Sequence, residues 1–217
     1  MSKGYTEPTN AGLLAVLLVL PCLLAVNARA QDRLPPIPAD KQTDAQKKAA
    51  ADYKDLRKAD LAGPPWSVMQ RVPDWVVPAL QMRLHVQQRP VLGNKLTEFA
   101  ILIAAREWTN NYEWNAHSNA AAQAGLNKEI IADLAAGRRP EHMAEDEQIV
   151  YDFCAELLHN KSVSDATYSR TLAKFGEAGV VEAANIEGYY VYLSMVMNTA
   201  RSPLPANAKP QLAAFPK

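Results

Sequence analysis

The 217-residue chain has the length of one ordinary domain, and its composition, 48% apolar and 21% charged, supplies a full hydrophobic core and excludes general disorder. Basic and acidic residues balance at 23 each, giving a formal net charge of zero, and the basic residues are scattered along the chain. The sequence therefore gives no indication of a nucleic-acid partner, which normally requires a concentrated basic face.

The first thirty residues are typical of an export signal. Residues 11–26 form an uncharged, leucine-rich run, and Ala28, Arg29 and Ala30 follow in the small–x–small pattern that signal peptidase cleaves. The run is shorter than the roughly 20 apolar residues that a bilayer span needs. We expect a signal peptide over residues 1–30, a periplasmic or secreted mature protein, and no membrane contact after cleavage. Retention of this segment as an N-terminal anchor is the alternative.

Residues 31–62 form a proline-rich linker followed by a charged, alanine-rich helix. This helix is predicted over residues 44–61, with Thr43 or Asp44 as its cap, on the surface or against a neighbouring subunit. Its large apolar residues are almost limited to Leu56 and Leu61. The Gly-Pro-Pro sequence at residues 63–65 then breaks the chain.

Beyond this break the apolar residues recur at helical spacing, without an alternating strand or an Asn-Gly hairpin. The predicted fold is all-α, with about seven or eight helices and an extended, proline-containing tail over residues 206–217. The helices predicted after the break cover residues 73–86, 98–107, 112–124, 127–137, 145–158, 164–175 and 179–199.

The segment with the most chemical information contains Glu113 and His117. These residues are four apart at the start of a predicted helix, so their side chains share one face. A carboxylate beside an imidazole can orient the ring and stabilise its protonated form, which suits proton transfer to or from carbon. A Glu–His pair that only stabilises the helix is the alternative.

Two further ionisable residues lie in the apolar segment before this helix. Glu98 is surrounded in sequence by large apolar residues, and carboxylates are seldom buried without a partner. Arg106 follows two turns later and could neutralise Glu98 or Glu113, or bind a substrate carboxylate through two hydrogen bonds. A structural ion pair is the alternative interpretation.

Metal and thiol chemistry have weaker support. Only Glu113 and His117 have the spacing of metal ligands, and no third ligand is indicated, so no metal site is predicted. Cys154 is the only cysteine after residue 30, and it falls on the apolar stripe of its helix. We interpret it as a buried structural residue rather than a nucleophile.

Several ordered motifs between Leu96 and Pro140 resemble the core unit of carboxymuconolactone decarboxylase-like (AhpD-like) proteins. The resemblance extends outward to residues 63–66, 163–168 and 188–190, so it covers about residues 63–205. The matching core motifs are Leu-Thr-Glu-Phe-Ala-Ile-Leu at residues 96–102, Ala-Arg-Glu-Trp at 105–108, Tyr-Glu-Trp at 112–114 with His117, and Ala-Gly-Leu at 124–126.

The resemblance implies a compact helical domain that assembles into trimers or hexamers, with active sites near subunit contacts. The thiol-peroxidase branch of the family carries a CxxC motif, but its two cysteine positions here are Asn110 and Glu113. Since thiol–disulfide chemistry needs two sulfurs, this departure argues against peroxidase activity. Glu98 and His117 match the carboxylate and histidine of that branch's proton relay.

The decarboxylase branch removes carbon dioxide from a lactone acid without a metal or organic cofactor. Such chemistry needs a group that binds a carboxylate and an acid that protonates the remaining carbon. The resemblance makes Arg106 and His117 candidates for these roles, with Glu113 orienting the histidine. Trp114 and Tyr190 are candidate aromatic residues of the substrate pocket, although most aromatic residues at helical spacing belong to the core.

The leading hypothesis is therefore a cofactor-independent lyase, a decarboxylase, that acts on a small cyclic or aromatic-derived organic acid. One alternative is a peroxide-handling protein that lacks the CxxC pair. A third is a non-enzymatic binding or assembly protein, in which Glu113 and His117 are structural.

The cleavage pattern yields a testable prediction. N-terminal sequencing of the protein from its native host should identify Gln31 as the first residue, because Ala30 ends the small–x–small pattern. Recovery of the soluble cytoplasmic protein with Met1 intact would contradict it.

Overall fold

A computed structural model describes Met1 and residues 32–88 and 90–213, and all regular elements in these ranges are helical. The all-α prediction is therefore confirmed. No helix in the described ranges is long and apolar enough to cross a membrane, and the predicted signal segment lies outside them. The elements are a short 3-10 helix, Ala39–Lys41, and α1 Asp44–Arg57, α2 Trp66–Met69, α3 Pro73–Gln88, α4 Asn94–Glu107, α5 Asn111–Gln123, α6 Lys128–Ala135, α7 Glu145–Asn160 and α8 Asp165–Ala200.

Helix α4 is the centre of the core and packs against α5, α7 and α8. Its residues from Phe99 to Arg106 are all buried, so it is apolar around nearly its whole circumference, as expected for a central helix. Full burial of one large aliphatic or aromatic side chain contributes about 1.5–3 kcal/mol. Glu98 lies at the edge of this apolar stretch and is only partly covered.

Asn110 fixes the start of α5 and ties it to α8. Its side-chain oxygen accepts hydrogen bonds from the backbone N–H groups of Tyr112 (3.0 Å) and Glu113 (3.1 Å), which caps the helix. Its amide nitrogen donates to the Ser194 hydroxyl at 3.1 Å. The side chain that begins the helix therefore also sets its position relative to α8.

Helix α1 is shorter than predicted and packs on its own chain. It ends at Arg57, because Lys58 adopts a left-handed conformation with φ of 59°. Thr43 and Gln46 form a capping box at its start. Its buried residue Tyr53 contacts Trp66, with ring centroids 5.1 Å apart, and α1 packs along α3. This packing places the last turn of α1 beside the start of α2.

Helix α8 joins the two helices that the sequence predicts separately. The kink between them is at Gly176, which has φ of 69° and ψ of 179°, a conformation that residues with a Cβ rarely adopt. The chain therefore changes direction directly after residue 175, where the sequence predicts the end of the first of these helices.

The proline-containing tail has no helix or strand between residues 202 and 213 and lies against α5. The Asn111 side-chain oxygen accepts hydrogen bonds from the backbone N–H groups of Gln211 (2.8 Å) and Leu212 (2.9 Å). Leu212 is buried and belongs to the main core cluster. The described part of the tail therefore covers part of the domain.

Glu187 is a buried acid inside the α7–α8 contact. Its side chain is 1% exposed, and neither carboxyl oxygen has a hydrogen bond of standard geometry within the described part of the chain. Burial raises its pKa to about 8; interaction with the Cys154 thiol opposes this rise, and the charge of Glu107 adds to it. Cys154 is itself fully buried, and burial raises the pKa of its thiol. The pair is neutral in the core near neutral pH.

Glu187 should make the protein less stable as the pH rises. Its folded pKa of about 8 lies above the ordinary value of 4.5, so the folded state retains a proton that the unfolded chain releases. The free energy of unfolding should fall between these values by up to about 1.4 kcal/mol per pH unit. Urea unfolding of Glu187→Gln should lack this part of the slope, because glutamine keeps the shape without ionising.

Glu177→Gln is the matched control, since Glu177 lies on the same helix and is exposed. Equal slopes in the wild type and Glu187→Gln would contradict the prediction.

Candidate active site

His117 lies between two carboxylates from two helices. Its Nδ1 is 2.7 Å from Glu98 Oε2 on α4, and its Nε2 is 3.3 Å from Glu113 Oε2 on α5. The exposed fractions of the side chains are 8% for His117, 18% for Glu98 and 6% for Glu113. The structure therefore brings together the three residues that the sequence indicates as catalytic candidates.

The two carboxylates stabilise the protonated ring. Burial by itself would lower the pKa of His117, but hydrogen bonding of the ring to the carboxylates of Glu113 and Glu98, together with their charges, raises it to about 9. His117 is therefore an imidazolium at neutral pH, in which Nδ1 donates a hydrogen bond to Glu98 and Nε2 forms an ion pair with Glu113. In this state the residue is an acid that can release a proton.

Metal binding does not follow from this arrangement. The carboxylates approach opposite nitrogens of one ring, so they hold the ring rather than converge on a shared position. In residues 32–88 and 90–213, no group of three or more histidine, cysteine, aspartate or glutamate side chains is arranged to hold a metal ion.

A cavity of about 260 Å³ opens beside the histidine. It lies between α1, the loop before α2, α3, α5 and α8. The lining side chains are mostly aromatic, basic or small, with one carboxylate and one leucine: Tyr53, Arg57, Ala59, Ala62, Pro64, Pro65, Trp66, Arg83, Tyr112, Glu113, Ala116, His117, Tyr190 and Leu193.

Tyr190 forms the floor beneath the imidazole. Its ring meets that of His117 edge to face, with centroids 5.2 Å apart. Its hydroxyl has no hydrogen-bond partner in the described ranges, and burial, with the charge of Glu113 adding to it, raises its pKa well above the ordinary value. It therefore stays a neutral phenol that can donate a hydrogen bond.

Two guanidinium groups line the same cavity, and the sequence analysis identified neither. Arg83 lies over the Trp66 ring at 5.9 Å and acts electrostatically on Tyr53, Tyr112 and Tyr190. Arg57 interacts with the Tyr53 hydroxyl. Among the described residues, neither arginine has a carboxylate oxygen within 4.0 Å. Their charge is therefore available to an anionic ligand.

Arg106 and Trp114, the other predicted substrate-binding residues, do not line this cavity. Arg106 faces a different cavity, beside Glu107 and His159, and its Nη1 donates to the Ala213 carbonyl at 2.8 Å. Trp114 is buried, and its indole nitrogen donates to the Gln211 side chain at 3.2 Å. Both side chains contact the C-terminal tail. Of the predicted substrate-binding residues, only Tyr190 lies beside His117.

No sequence signal distinguished Arg57 and Arg83 from other surface arginines. Arg57 is on a helix whose orientation depends on its packing against α3, and Arg83 follows no recognisable motif. Trp66 and Tyr112, which also line the cavity, did belong to motifs of the family resemblance. These motifs were the sequence's one indication of this part of the cavity.

Comparison of the chain with protein-family models, with curated proteins and with solved structures finds no match in any of the three. The family resemblance therefore remains an interpretation of the motifs.

The pKa of His117 should be about 9, as measured by NMR titration of the ring. Glu113→Gln and Glu98→Gln should each lower it, because each removes a charge and a hydrogen-bond acceptor that favour the imidazolium. Since the folded pKa lies above 6.5, the pairing stabilises the protein fully below pH 6.5, and this contribution is lost as the pH rises towards 9.

Glu107→Gln is the matched control, because Glu107 pairs with the exposed His159 at 3.1 Å. It should leave the pKa of His117 unchanged. A wild-type value at or below 6.5 would show that burial outweighs the two carboxylates.

Proposed function

We propose that the protein is a cofactor-independent lyase, a decarboxylase, that acts on a small cyclic or aromatic-derived organic acid. The observation that carries the proposal is a histidine held between two carboxylates in a cavity that two arginines also line. Within residues 32–88 and 90–213, neither arginine has a carboxylate oxygen within 4.0 Å. A positioned acid and a carboxylate-binding group are the two elements that such a reaction needs.

Arg83 is the proposed carboxylate anchor, with Arg57 as its neighbour. A guanidinium group can bind a carboxylate through two parallel hydrogen bonds, and stacking on Trp66 restricts the orientation of Arg83. The sequence suggested Arg106 for this role, but Arg106 faces the tail and another cavity. We therefore assign the role to the arginines beside His117.

His117 is the proposed proton donor. Loss of carbon dioxide leaves the electron pair of the broken carbon–carbon bond on the remaining carbon. The imidazolium supplies one proton to that carbon, and no electron is gained or lost in the overall step. The Nε2 proton is shared with Glu113, which lines the cavity, so this is the proton available to a bound molecule.

The lining of the cavity supports a small, ring-containing substrate. Its volume of about 260 Å³ lies just below the usual range for drug-sized ligands, about 300–1,000 Å³. Trp66, Tyr53 and Tyr112 present aromatic faces that can pack against a planar ring. The resemblance to carboxymuconolactone decarboxylase-like proteins points to the same substrate class. Export to the periplasm and assembly into a homo-oligomer are further proposals that depend on the sequence and this resemblance.

A screen of carboxylated lactones and keto acids for carbon dioxide release tests the function. On an identified substrate, His117→Ala should lower turnover by roughly 10²–10⁴-fold, the usual contribution of a positioned acid. Arg83→Ala should lower kcat/KM by about 10- to 100-fold, the equivalent of a lost charged hydrogen bond, and Arg83→Lys should restore only part of it.

His159→Ala is the matched control, since His159 also pairs with a glutamate but lies at the surface. No carbon dioxide release from the wild type, or full activity in a folded His117→Ala variant, would refute the proposal.

A further inference from the structure

Helix α1 is attached to the domain by a small part of its surface. Only two of its residues, Ala49 and Tyr53, are buried, and among the described helices it packs extensively along α3 alone. The Gln70 side chain donates one hydrogen bond to the Gln46 carbonyl at 3.2 Å. The lysines of α1 that form ion pairs do so with acidic residues of α1 itself or of the loop after it, so these pairs add nothing to the attachment. Attachment this limited is typical of elements that open locally while the rest of the domain stays folded.

The chain is non-helical on both sides of α1. Residues 42–43 precede it without regular structure, and residues 58–65 form the loop that follows it. Lys58 and Gly63 in this loop have positive φ values of 59° and 65°. The loop ends at α2, whose first residue, Trp66, is buried in the domain. Helix α1 can therefore move as a unit, because a few loop residues suffice to absorb the change in φ and ψ.

The end of α1 forms one wall of the cavity beside His117. Tyr53 and Arg57 belong to the helix, and Ala59 and Ala62 to the loop after it. The remaining lining residues lie at the start of α2 or before it, or on α3, α5 and α8. Displacement of α1 would therefore open the cavity and leave His117 in place on α5.

The two arginines of the cavity lie on different sides of this opening, since Arg57 belongs to α1 and Arg83 to α3. Burial raises the pKa of the Tyr53 hydroxyl, and the charges of Arg83 and Arg57 oppose this rise, so both guanidinium groups act on one oxygen atom. Two like charges in one cavity oppose the packing of α1 against α3. An anion between them attracts both and reverses the sign of this contribution.

We propose that α1 is a lid over the cavity and that a small carboxylate bound between Arg57 and Arg83 closes it. In the open state the anion contacts Arg83 alone, whereas in the closed state it contacts both arginines. It therefore binds the closed state more tightly and shifts the equilibrium towards that state. The inference rests on the same carboxylate site as the proposed function, but it requires no reaction there.

Hydrogen exchange of the backbone amides, measured on the full chain, tests the lid without any ligand. Protection factors in α1 should be at least about tenfold lower than those in α4, because α1 opens while the core stays folded. Equal protection in the two helices would overturn the inference, since α1 would then open only together with the whole domain.

Sodium benzoate is the probe for closure, with sodium chloride at the same ionic strength as the reference. Benzoate should slow exchange in α1 by about tenfold, the equivalent of one charged hydrogen bond gained on closure. Exchange in α6, which contributes no residue to the cavity, should stay unchanged. Arg57→Gln should abolish the slowing, because the anion then has no charged partner on the lid.

Lys54→Gln is the matched control. Lys54 lies in the same last turn of α1 as Arg57, but it pairs with Asp60 at the surface and does not line the cavity. This variant loses the same charge from the end of the helix and should keep the response to benzoate. If Arg57→Gln does not fold, as judged by far-UV circular dichroism, Arg83→Gln provides the same test from the other side of the cavity.

Three results would overturn the inference: no slowing in the wild type, slowing of equal size in Arg57→Gln and Lys54→Gln, or equal slowing in α1 and α6. The last of these would indicate stabilisation of the whole domain rather than closure of a lid. Because no turnover is measured, the lid can close on benzoate even if the screen finds no carbon dioxide release, so the two outcomes are distinguishable.

Discussion

The contact of one imidazolium with two carboxylates is the constraint on which the rest of the site depends. Glu98, Glu113 and His117 are removed from most of the solvent, and a charge buried without a partner would cost several kcal/mol. The cost is offset only while both ring nitrogens keep their acceptors. Helices α4 and α5 must therefore hold their relative position closely.

The surrounding packing supplies that rigidity. Helix α4 is fixed by an apolar surface that α5, α7 and α8 cover together. Asn110 caps α5 and also donates to Ser194 on α8, so a single side chain sets both the start of α5 and its distance from α8. Tyr190 then closes the edge of the imidazole from α8. The Asn110 cap and the packing against α8 thus hold α5 in the same position.

The distribution of charge determines which ligands the cavity beside His117 can bind. The carboxylates are occupied by His117, while Arg57 and Arg83 face the cavity without carboxylate partners among the described residues. An anion that enters meets guanidinium groups, a neutral phenol and a proton shared by His117 and Glu113. Glu187 is also buried, but no basic side chain of the described residues forms an ion pair with it, and its raised pKa means that it retains its own proton.

The sequence by itself determined the all-α class, most helix ends and the Glu113–His117 pair, because caps, glycine breaks and i,i+4 neighbours depend on residues within about one turn. Glu98 was identifiable because a carboxylate in so apolar a segment needs a partner. Only the tertiary structure decided which cations share the cavity. Arg57 enters it because α1 packs on α3, whereas Arg106 meets the tail. These contacts join residues far apart in the chain, and helical periodicity carries no information about such distances.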